Sequence, residues 1–322
     1  MAKVDWEVSK MLIETGRGGV EDRLFANGLM QVLVVVEIRA FDPTTRTDYE
    51  LNDSDLATLK LVDYYDGSEI KEPWAYSQFE DENEFDHVLP GTLGDAPHPK
   101  ASEPLGGRHI KFWVTTTKAE NKSIGAEIEQ PDGKVVTTAA TGDSEWASRV
   151  ILISQAGVTY TMNDIRVDID PVGHEGGRLK KTFYYVSSNR YPFIKSECHG
   201  FRAPGEGNDE ALHNCFRFDQ YQYGHPEIFY IWEMGSEDGQ KRVGFSNVTD
   251  TIRINTVPNG ITLLCVELNY PATFQPIKLE NWFKLFDRYG NSGTFYTNFG
   301  EEDHKLKIQA HKPGWHKESA SD

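Results

Sequence analysis

Two cysteines and two histidines lie within a stretch of eighteen residues: Cys198, His199, His213 and Cys215. Thiolate and imidazole are the ligands that zinc prefers, so these four residues are the candidate zinc ligands. The order Cys-His followed by His-x-Cys matches no zinc-finger spacing, and neighbouring residues of a strand point to opposite faces. The alternative is a pair of structural cysteines in an aromatic core with histidines at the surface. The sequence favours this alternative, and we expect no bound metal.

A Cys-His pair could also serve as a nucleophile with its general base. That chemistry needs the imidazole within hydrogen-bond reach of the thiol and a third group, such as Asp219, to orient it. Buried structural cysteines are much commoner than reactive ones. The chain has three cysteines, Cys198, Cys215 and Cys265, and an odd number argues against a disulfide framework. We therefore predict that all three are reduced thiols.

An acidic run supplies the candidate calcium ligands. Carboxylates recur at alternate positions: Glu80, Glu82, Glu84 and Asp86. Calcium is a hard cation that takes six to eight oxygen ligands, so a carboxylate-rich loop suits it. The run lacks the spacing, the central glycine and the closing glutamate of an EF-hand. A solvated acidic loop is the alternative that the sequence favours.

The strongest candidate for a binding surface is aromatic. Seven aromatic residues fall between Phe216 and Trp232, and Tyr221, Tyr223, Tyr230 and Trp232 are the predicted interface residues. If exposed, these side chains could contact a partner or stack on sugar rings, because Tyr and Trp combine an apolar body with a polar end. If buried, they form the core of a domain. The sequence leaves both alternatives open.

The turns determine which elements carry these residues. Asn-Gly and Asp-Gly pairs, which tolerate the positive φ angles of tight hairpins, recur between short alternating runs of apolar and polar residues. The clearest run extends from Met30 to Ala40, with apolar residues on both faces at its middle, and predicts a central strand. This pattern of strands and turns, with the corner at residues 289–293, resembles immunoglobulin-like modules in fold.

The fold class is therefore all-β, with two antiparallel β-sandwich domains of immunoglobulin-like or jelly-roll-like type. The predicted organisation is an N-terminal arm at 1–24, a first sandwich at 25–171, a second sandwich at 178–310 and a C-terminal tail at 311–322. Residues 171–177, with one proline and three glycines, form the predicted linker. A chain of 322 residues is long enough for two cores of ordinary size.

The charge balance narrows the range of partners. The formal net charge is −17, which repels phosphate backbones and anionic lipid, so nucleic acid and membrane surfaces are poor partners. No segment is apolar for long enough to span a bilayer. The beginning of the sequence lacks the apolar core of a signal peptide, and with reduced cysteines this predicts a cytoplasmic protein, leaving release by a non-classical route open.

Motifs for common enzyme classes are missing from the sequence: it contains no Gly-x-Ser-x-Gly, no His-Glu-x-x-His and no P-loop. We therefore predict a non-enzymatic protein that acts through protein–protein contacts, as a homo-oligomer or larger array, without a cofactor. A carbohydrate-binding, lectin-like protein is the first alternative. A hydrolase with a carboxylate pair or the Cys-His set is the second.

Overall fold

The computed structural model describes residues 5–81, 84–89, 107–141, 144–172, 177–220, 224–235, 239–270, 274–299 and 306–312. In these residues the protein is built almost wholly of strands, which confirms the all-β prediction. Three short 3-10 helices interrupt them, at Ser144–Trp146, Met162–Asp164 and Glu210–Leu212. None of these helices has the length and apolarity needed to cross a membrane in the described part of the chain.

The chain divides into two compact units, unit 1 from Met1 to Gly157 and unit 2 from Val158 to Asp322. The strands of unit 1 are β1 Glu7–Thr15, β2 Glu21–Ala26, β3 Val32–Phe41, β4 Asp48–Tyr49, β5 Lys60–Asp63, β6 Trp74–Ser77, β7 Arg108–Thr116, β8 Asn121–Glu129, β9 Val135–Thr137 and β10 Val150–Ala156.

Unit 1 contains two five-stranded sheets. Sheet I has the order β1-β3-β7-β6, with β4 beside β3, and sheet II has the order β2-β10-β8-β5, with β9 beside β8. The strand predicted to be central is β3, which pairs with β1 on one side and β7 on the other. Its valines at 32, 34 and 36 are fully buried because alternate residues of a strand share one face. Strands β2 and β10 pair in parallel.

Unit 2 carries the second set of strands: β11 Ile165–Val172, β12 Leu179–Ser188, β13 Phe193–His199, β14 Cys215–Gln220, β15 Pro226–Trp232, β16 Gln240–Phe245, β17 Val248–Arg253, β18 Gly260–Leu268, β19 Ile277–Lys278, β20 Trp282–Asp287, β21 Ser292–Phe299 and β22 Leu306–Gln309. Sheet III has the order β11-β12-β18-β15-β14-β19, and sheet IV has the order β13-β20-β21-β22.

Sheet III is covered on both faces. One face packs on sheet IV through side chains such as Phe229, Leu263 and Phe283. The other face packs under the two-stranded hairpin of β16 and β17 through Tyr230, Leu264 and Val243. Because both faces are buried, β15 is buried at all seven positions and β18 at all but one. The sequence of such a strand is a continuous apolar run rather than an alternation of apolar and polar residues.

The covering hairpin depends on a glycine. Gly244 of β16 adopts φ +114°, and a Cβ at this position would lie 2.3 Å from the carbonyl oxygen of Val248. A side chain is therefore excluded both by the backbone conformation and by the approach of the partner strand. This allows the hairpin to lie close against Tyr230, whose hydroxyl accepts a hydrogen bond from the Gly244 N–H at 2.9 Å.

Two of the predicted domain boundaries are wrong. The arm predicted at 1–24 contains β1, which pairs with β3 as part of sheet I, and β2, which pairs with β10. The first domain ends at Gly157 rather than at residue 171, because β11 pairs with β12 along its whole length and belongs to sheet III. The predicted linker therefore begins inside a strand, at Pro171 and Val172 of β11. The sequence offers no strong turn residue at the true boundary other than Gly157.

Candidate functional site

The candidate zinc ligands are not brought together. Cys198 lies on β13 in sheet IV, whereas Cys215 lies on β14 in sheet III. Both cysteines are buried, but Cys198 packs between the two sheets and Cys215 packs under the hairpin. His199 points to the opposite face of β13, where its ring stacks on Trp282. The strand alternation that separates Cys198 from His199 is the physical reason why this candidate set of zinc ligands does not come together.

The same geometry opposes a Cys-His nucleophile. Burial raises the pKa of the Cys215 thiol to about 12, and it raises the pKa of the Cys198 thiol further still. A nucleophilic cysteine needs a lowered pKa, because the thiolate is the reactive form. Asp219, the predicted orienting group, instead accepts from Arg217 at 3.1 Å and from Lys278 at 2.8 Å.

The predicted calcium ligands lie in part outside the described residues, which include Glu80, Glu84 and Asp86 but not Glu82. Glu80 is exposed, and its Oε1 lies 2.9 Å from Nε2 of His87. Glu84 is also exposed and has a positive φ of 63°. The described carboxylates of this run do not converge as a group of three ligand atoms.

The predicted aromatic interface is partly wrong. Tyr230 and Trp232 are 0% and 3% exposed, and their rings stack with centroids 5.4 Å apart beneath the hairpin. They are core residues because sheet III is covered on both faces. Tyr221 and Tyr223 lie outside the described residues. The core alternative therefore holds for Tyr230 and Trp232, the two predicted interface residues that the structure describes.

A different apolar surface lies at the end of sheet III. A pocket of about 340 Å³ opens between β14, β16, the segment before the 3-10 helix at 210–212, and the edge strand β19. Its floor is Phe218 and Leu212, both buried, and Phe274 stacks on Phe218 with ring centroids 4.1 Å apart. Its rim includes Arg202 and Leu279, and the Leu279 side chain is 40% exposed. We call this surface the aromatic pocket.

The aromatic pocket adjoins an open sheet edge. Strand β19 pairs with β14 through Ile277 and Lys278, and in the described part of the chain it is the last strand of sheet III on that side. An edge strand presents backbone donors and acceptors that another strand can pair with. The pocket could therefore bind an apolar side chain of a partner, and the adjoining edge could pair with a strand of the same partner.

A second aromatic surface lies on the outer face of sheet IV. His199, Trp282, Tyr296 and Gln309 are register partners on the four adjacent strands of this sheet. The rings of His199 and Trp282 stack with centroids 3.8 Å apart. His199 is exposed, and Trp282 and Tyr296 are partly exposed. We call this set the aromatic row.

The most unusual electrostatic feature of unit 2 is a charged row across sheet III. Register pairs join Lys180 to Glu267, Glu267 to Glu227, and Glu227 to Asp219, so that four adjacent strands contribute one residue each. Residues directly opposite on neighbouring strands share a face. The Nζ of Lys180 lies 2.7 Å from Glu267. Glu227 thus stands between two other carboxylates.

Glu227 is only 7% exposed, although the rest of the charged row reaches solvent. Burial raises the pKa of its carboxyl to about 7, and the neighbouring Glu267 carboxylate adds to this rise, while Arg217 and Lys180 oppose it. A buried carboxyl avoids ionising because the charged form loses its hydration. Glu227 therefore exchanges a proton close to neutral pH.

The charged row was missed in the sequence. Glu227 and Glu267 each lie near one end of a strand whose other residues are almost all apolar, a placement that is readable in the sequence. That β15 and β18 are neighbours cannot be read from the sequence, because Glu227 and Glu267 are 40 positions apart and no local pattern specifies the path between them. Neither residue lines the aromatic pocket.

Comparisons with known proteins show no family for this chain. No protein-family model matches the sequence, and no curated protein matches it. Solved structures of low similarity include the C-terminal domain of the AgI/II polypeptide BspA from Streptococcus agalactiae, with 10% identity and a TM-score of 0.25 over 94% of this chain and 100% of that chain. The antigen I/II-family protein AspA from Streptococcus pyogenes gives 10% identity and a TM-score of 0.22, covering 96% of this chain and 100% of its C-terminal domain.

The adhesin InvE from Yersinia pseudotuberculosis gives 8% identity and a TM-score of 0.21, over 96% of this chain and 61% of that one. These scores are too low to carry an argument about function.

Proposed function

We propose that this protein is non-enzymatic and acts through protein–protein contacts, assembling with further copies of itself through the aromatic pocket and the adjoining edge of β19. The observation that carries the proposal is the concave apolar surface with the exposed Leu279 at its rim, next to an edge strand. Interfaces combine an apolar centre with a polar rim, and aromatic residues contribute most of their energy. Arg202 and Glu206 supply charge around the pocket.

The opposite border of sheet III supports a second copy as the partner. Strand β11 is the other outer strand of this sheet in the described residues, and its Ile169 is 59% exposed. Pairing of the β11 edge of one copy with the β19 edge of the next would continue the sheet from molecule to molecule. Such head-to-tail contacts form rings or open filaments. The net charge of −17 opposes this contact, so assembly should strengthen as salt screens the repulsion.

Sedimentation velocity over a range of protein and salt concentrations tests this proposal. We expect a concentration-dependent oligomer that Leu279→Lys weakens, because a charge then lies at the rim of the apolar pocket. Val135→Lys is the matched control, since Val135 is 50% exposed on β9 of unit 1. A strict monomer at every concentration, or equal effects of the two variants, would reject self-assembly through this surface.

Carbohydrate binding is a second candidate function, and the aromatic row is the observation that favours it. Trp282 and Tyr296 lie on one sheet face beside the carboxamide of Gln309, a combination of ring surfaces and hydrogen-bonding groups that suits a sugar. A glycan array with and without calcium tests this function. Binding that Trp282→Ala abolishes would support it, and an array without hits would exclude it for the glycans sampled.

A further inference from the structure

Three metal-binding side chains converge at one end of sheet III, on the face that packs towards sheet IV. Cys265 precedes Glu267 by two residues on β18 and therefore shares its face, and Glu227 lies opposite Glu267 on β15. One ligand atom from each residue, the thiol sulfur and two carboxylate oxygens, lies within 4.8 Å of the others. Among the described residues, this is the group of three His, Cys, Asp or Glu side chains whose ligand atoms converge.

The Cys265 thiol is the observation that sets this group apart from an ordinary acidic pair. Its side chain is 4% exposed, and among the described residues no hydrogen bond involves its sulfur. Cys265 belongs to the apolar core between sheets III and IV, and its sulfur and one carboxylate oxygen each of Glu227 and Glu267 lie within 4.8 Å of one another. A thiol beside two carboxyl groups is a mixed set of sulfur and oxygen donors.

The cations near the group already pair with carboxylates: Lys180 with Glu267, and Arg217 and Lys278 with Asp219. Within the group itself, Glu227 and Glu267 lie directly opposite one another on neighbouring strands, and two carboxylates so placed repel each other when both are charged. A divalent ion held by both carboxylates would offset this repulsion.

We propose that Glu227, Glu267 and Cys265 form a binding site for Zn²⁺. A set of one thiolate and two carboxylates suits this borderline ion, which accepts both sulfur and oxygen, whereas calcium and magnesium take oxygen ligands. The side chain of Glu267 is one-third exposed, which gives the ion a path from solvent and leaves room for water as a further ligand. The site does not depend on the proposed assembly surface, which lies on the other face of the sheet.

Binding must release a proton. The thiol gives up its proton when sulfur coordinates the ion, because the thiolate is the form that binds metal. The affinity should therefore rise with pH.

Metal titration of the full-length protein, stripped with a chelator, tests this site. We expect one Zn²⁺ per chain by elemental analysis after dialysis, and a thiolate-to-metal charge-transfer band when Co²⁺ replaces Zn²⁺. Cys265→Ser should remove this band, and the double variant Glu227→Gln with Glu267→Gln should weaken binding by more than about tenfold, the loss that even outer-shell changes cause. Cys198→Ser is the control, since Cys198 lies on sheet IV outside the set and should leave stoichiometry and spectrum unchanged.

The double carboxylate variant keeps the test decisive if Cys265→Ser fails to fold. Far-ultraviolet circular dichroism and the melting temperature establish folding for each variant. A stripped protein that takes up less than stoichiometric metal would overturn the proposal. Cobalt bound without a thiolate band, or a band that Cys198→Ser removes, would overturn it equally.

Discussion

The hydroxyl of Tyr160 donates a hydrogen bond to the carboxylate of Asp287, 2.9 Å away and 127 residues further along the chain. Both residues are buried, and Asp287 also accepts from the backbone N–H groups of Tyr289 and Asn291. This contact fixes the segment after Gly157 to the turn between β20 and β21. Together with the pairing of β11 and β12, it ties residues 158–172 to unit 2.

Removal of this hydroxyl should destabilise unit 2. Tyr160→Phe leaves the buried Asp287 carboxylate with one hydrogen bond fewer, and a hydrogen bond to a charged group contributes about 2 kcal/mol. The free energy of unfolding from urea titration measures the loss. Tyr65→Phe is the control, because Tyr65 also bonds through its hydroxyl, to Arg149, but is 62% exposed. A similar loss in both variants would contradict the argument.

A charge in the central strand of unit 1 should prevent that unit from folding. Val34 is fully buried on β3, so Val34→Asp buries an unpaired carboxylate at a cost of several kcal/mol. Val135→Asp introduces the same charge at a half-exposed position of β9 and should be tolerated. Circular dichroism and heteronuclear NMR spectra show whether unit 1 is folded in each of the two variants. A soluble Val34→Asp protein with the melting temperature of the wild type would contradict the assignment of β3.

The three thiols should resist modification in the native protein. Cys198, Cys215 and Cys265 are all buried, and burial raises the pKa of each thiol above its usual range. Intact mass after treatment with iodoacetamide should show no adduct on the native chain and three adducts after denaturation. Rapid labelling of any of the three thiols in the native protein would show that the structure around that thiol opens readily.

The stability of unit 2 should fall as the pH rises towards neutrality because of Glu227. The carboxyl titrates near 4.5 when unfolded and at about 7 when folded, so the folded state binds more protons between these values. Stability from this group is present below pH 4.5 and is lost as the pH rises through about 7, to the extent of about 3 kcal/mol or less.

Glu227→Gln removes this dependence, and the difference in unfolding free energy between wild type and variant, measured in metal-free buffer, isolates it. The wild type should lose stability relative to the variant as the pH increases over this range. Glu197→Gln, on the outer face of sheet IV, is the control and should show no such trend. A difference between wild type and Glu227→Gln that does not change with pH would show that Glu227 does not titrate in this range.

The aromatic residues of β15 and β20 should respond differently to truncation. Trp232 is 3% exposed beneath the hairpin, and Trp232→Ala should cost about 3 to 5 kcal/mol through the cavity that it leaves. Trp282→Ala, on the outer face of sheet IV, should cost much less because its ring is partly exposed and loses mainly its stack on His199. Thermal unfolding gives both values. A small loss of stability in Trp232→Ala would contradict the burial of this residue in the core.

The sequence alone determined the fold class and most of the strands. Alternation of apolar and polar residues and the recurrent Asx-Gly turns are local signals, since strand period and positive φ depend on neighbouring residues only. They are enough to identify β3 from the valines at 32, 34 and 36, and to make Asn259 and Gly67 turn positions, which both have positive φ in the structure. The prediction of two β domains follows from the same signals and the length.

Only the tertiary structure decided which strands are neighbours, and the candidate sites depend on that. Cys198 and His199 are adjacent in sequence but are separated by the pleat, whereas Glu227 and Glu267 are 40 residues apart and directly opposite. Burial of Tyr230 and Trp232 likewise depends on a hairpin that covers the second face of sheet III. Strand pairing and layer packing are set by long-range contacts whose partners no local pattern specifies.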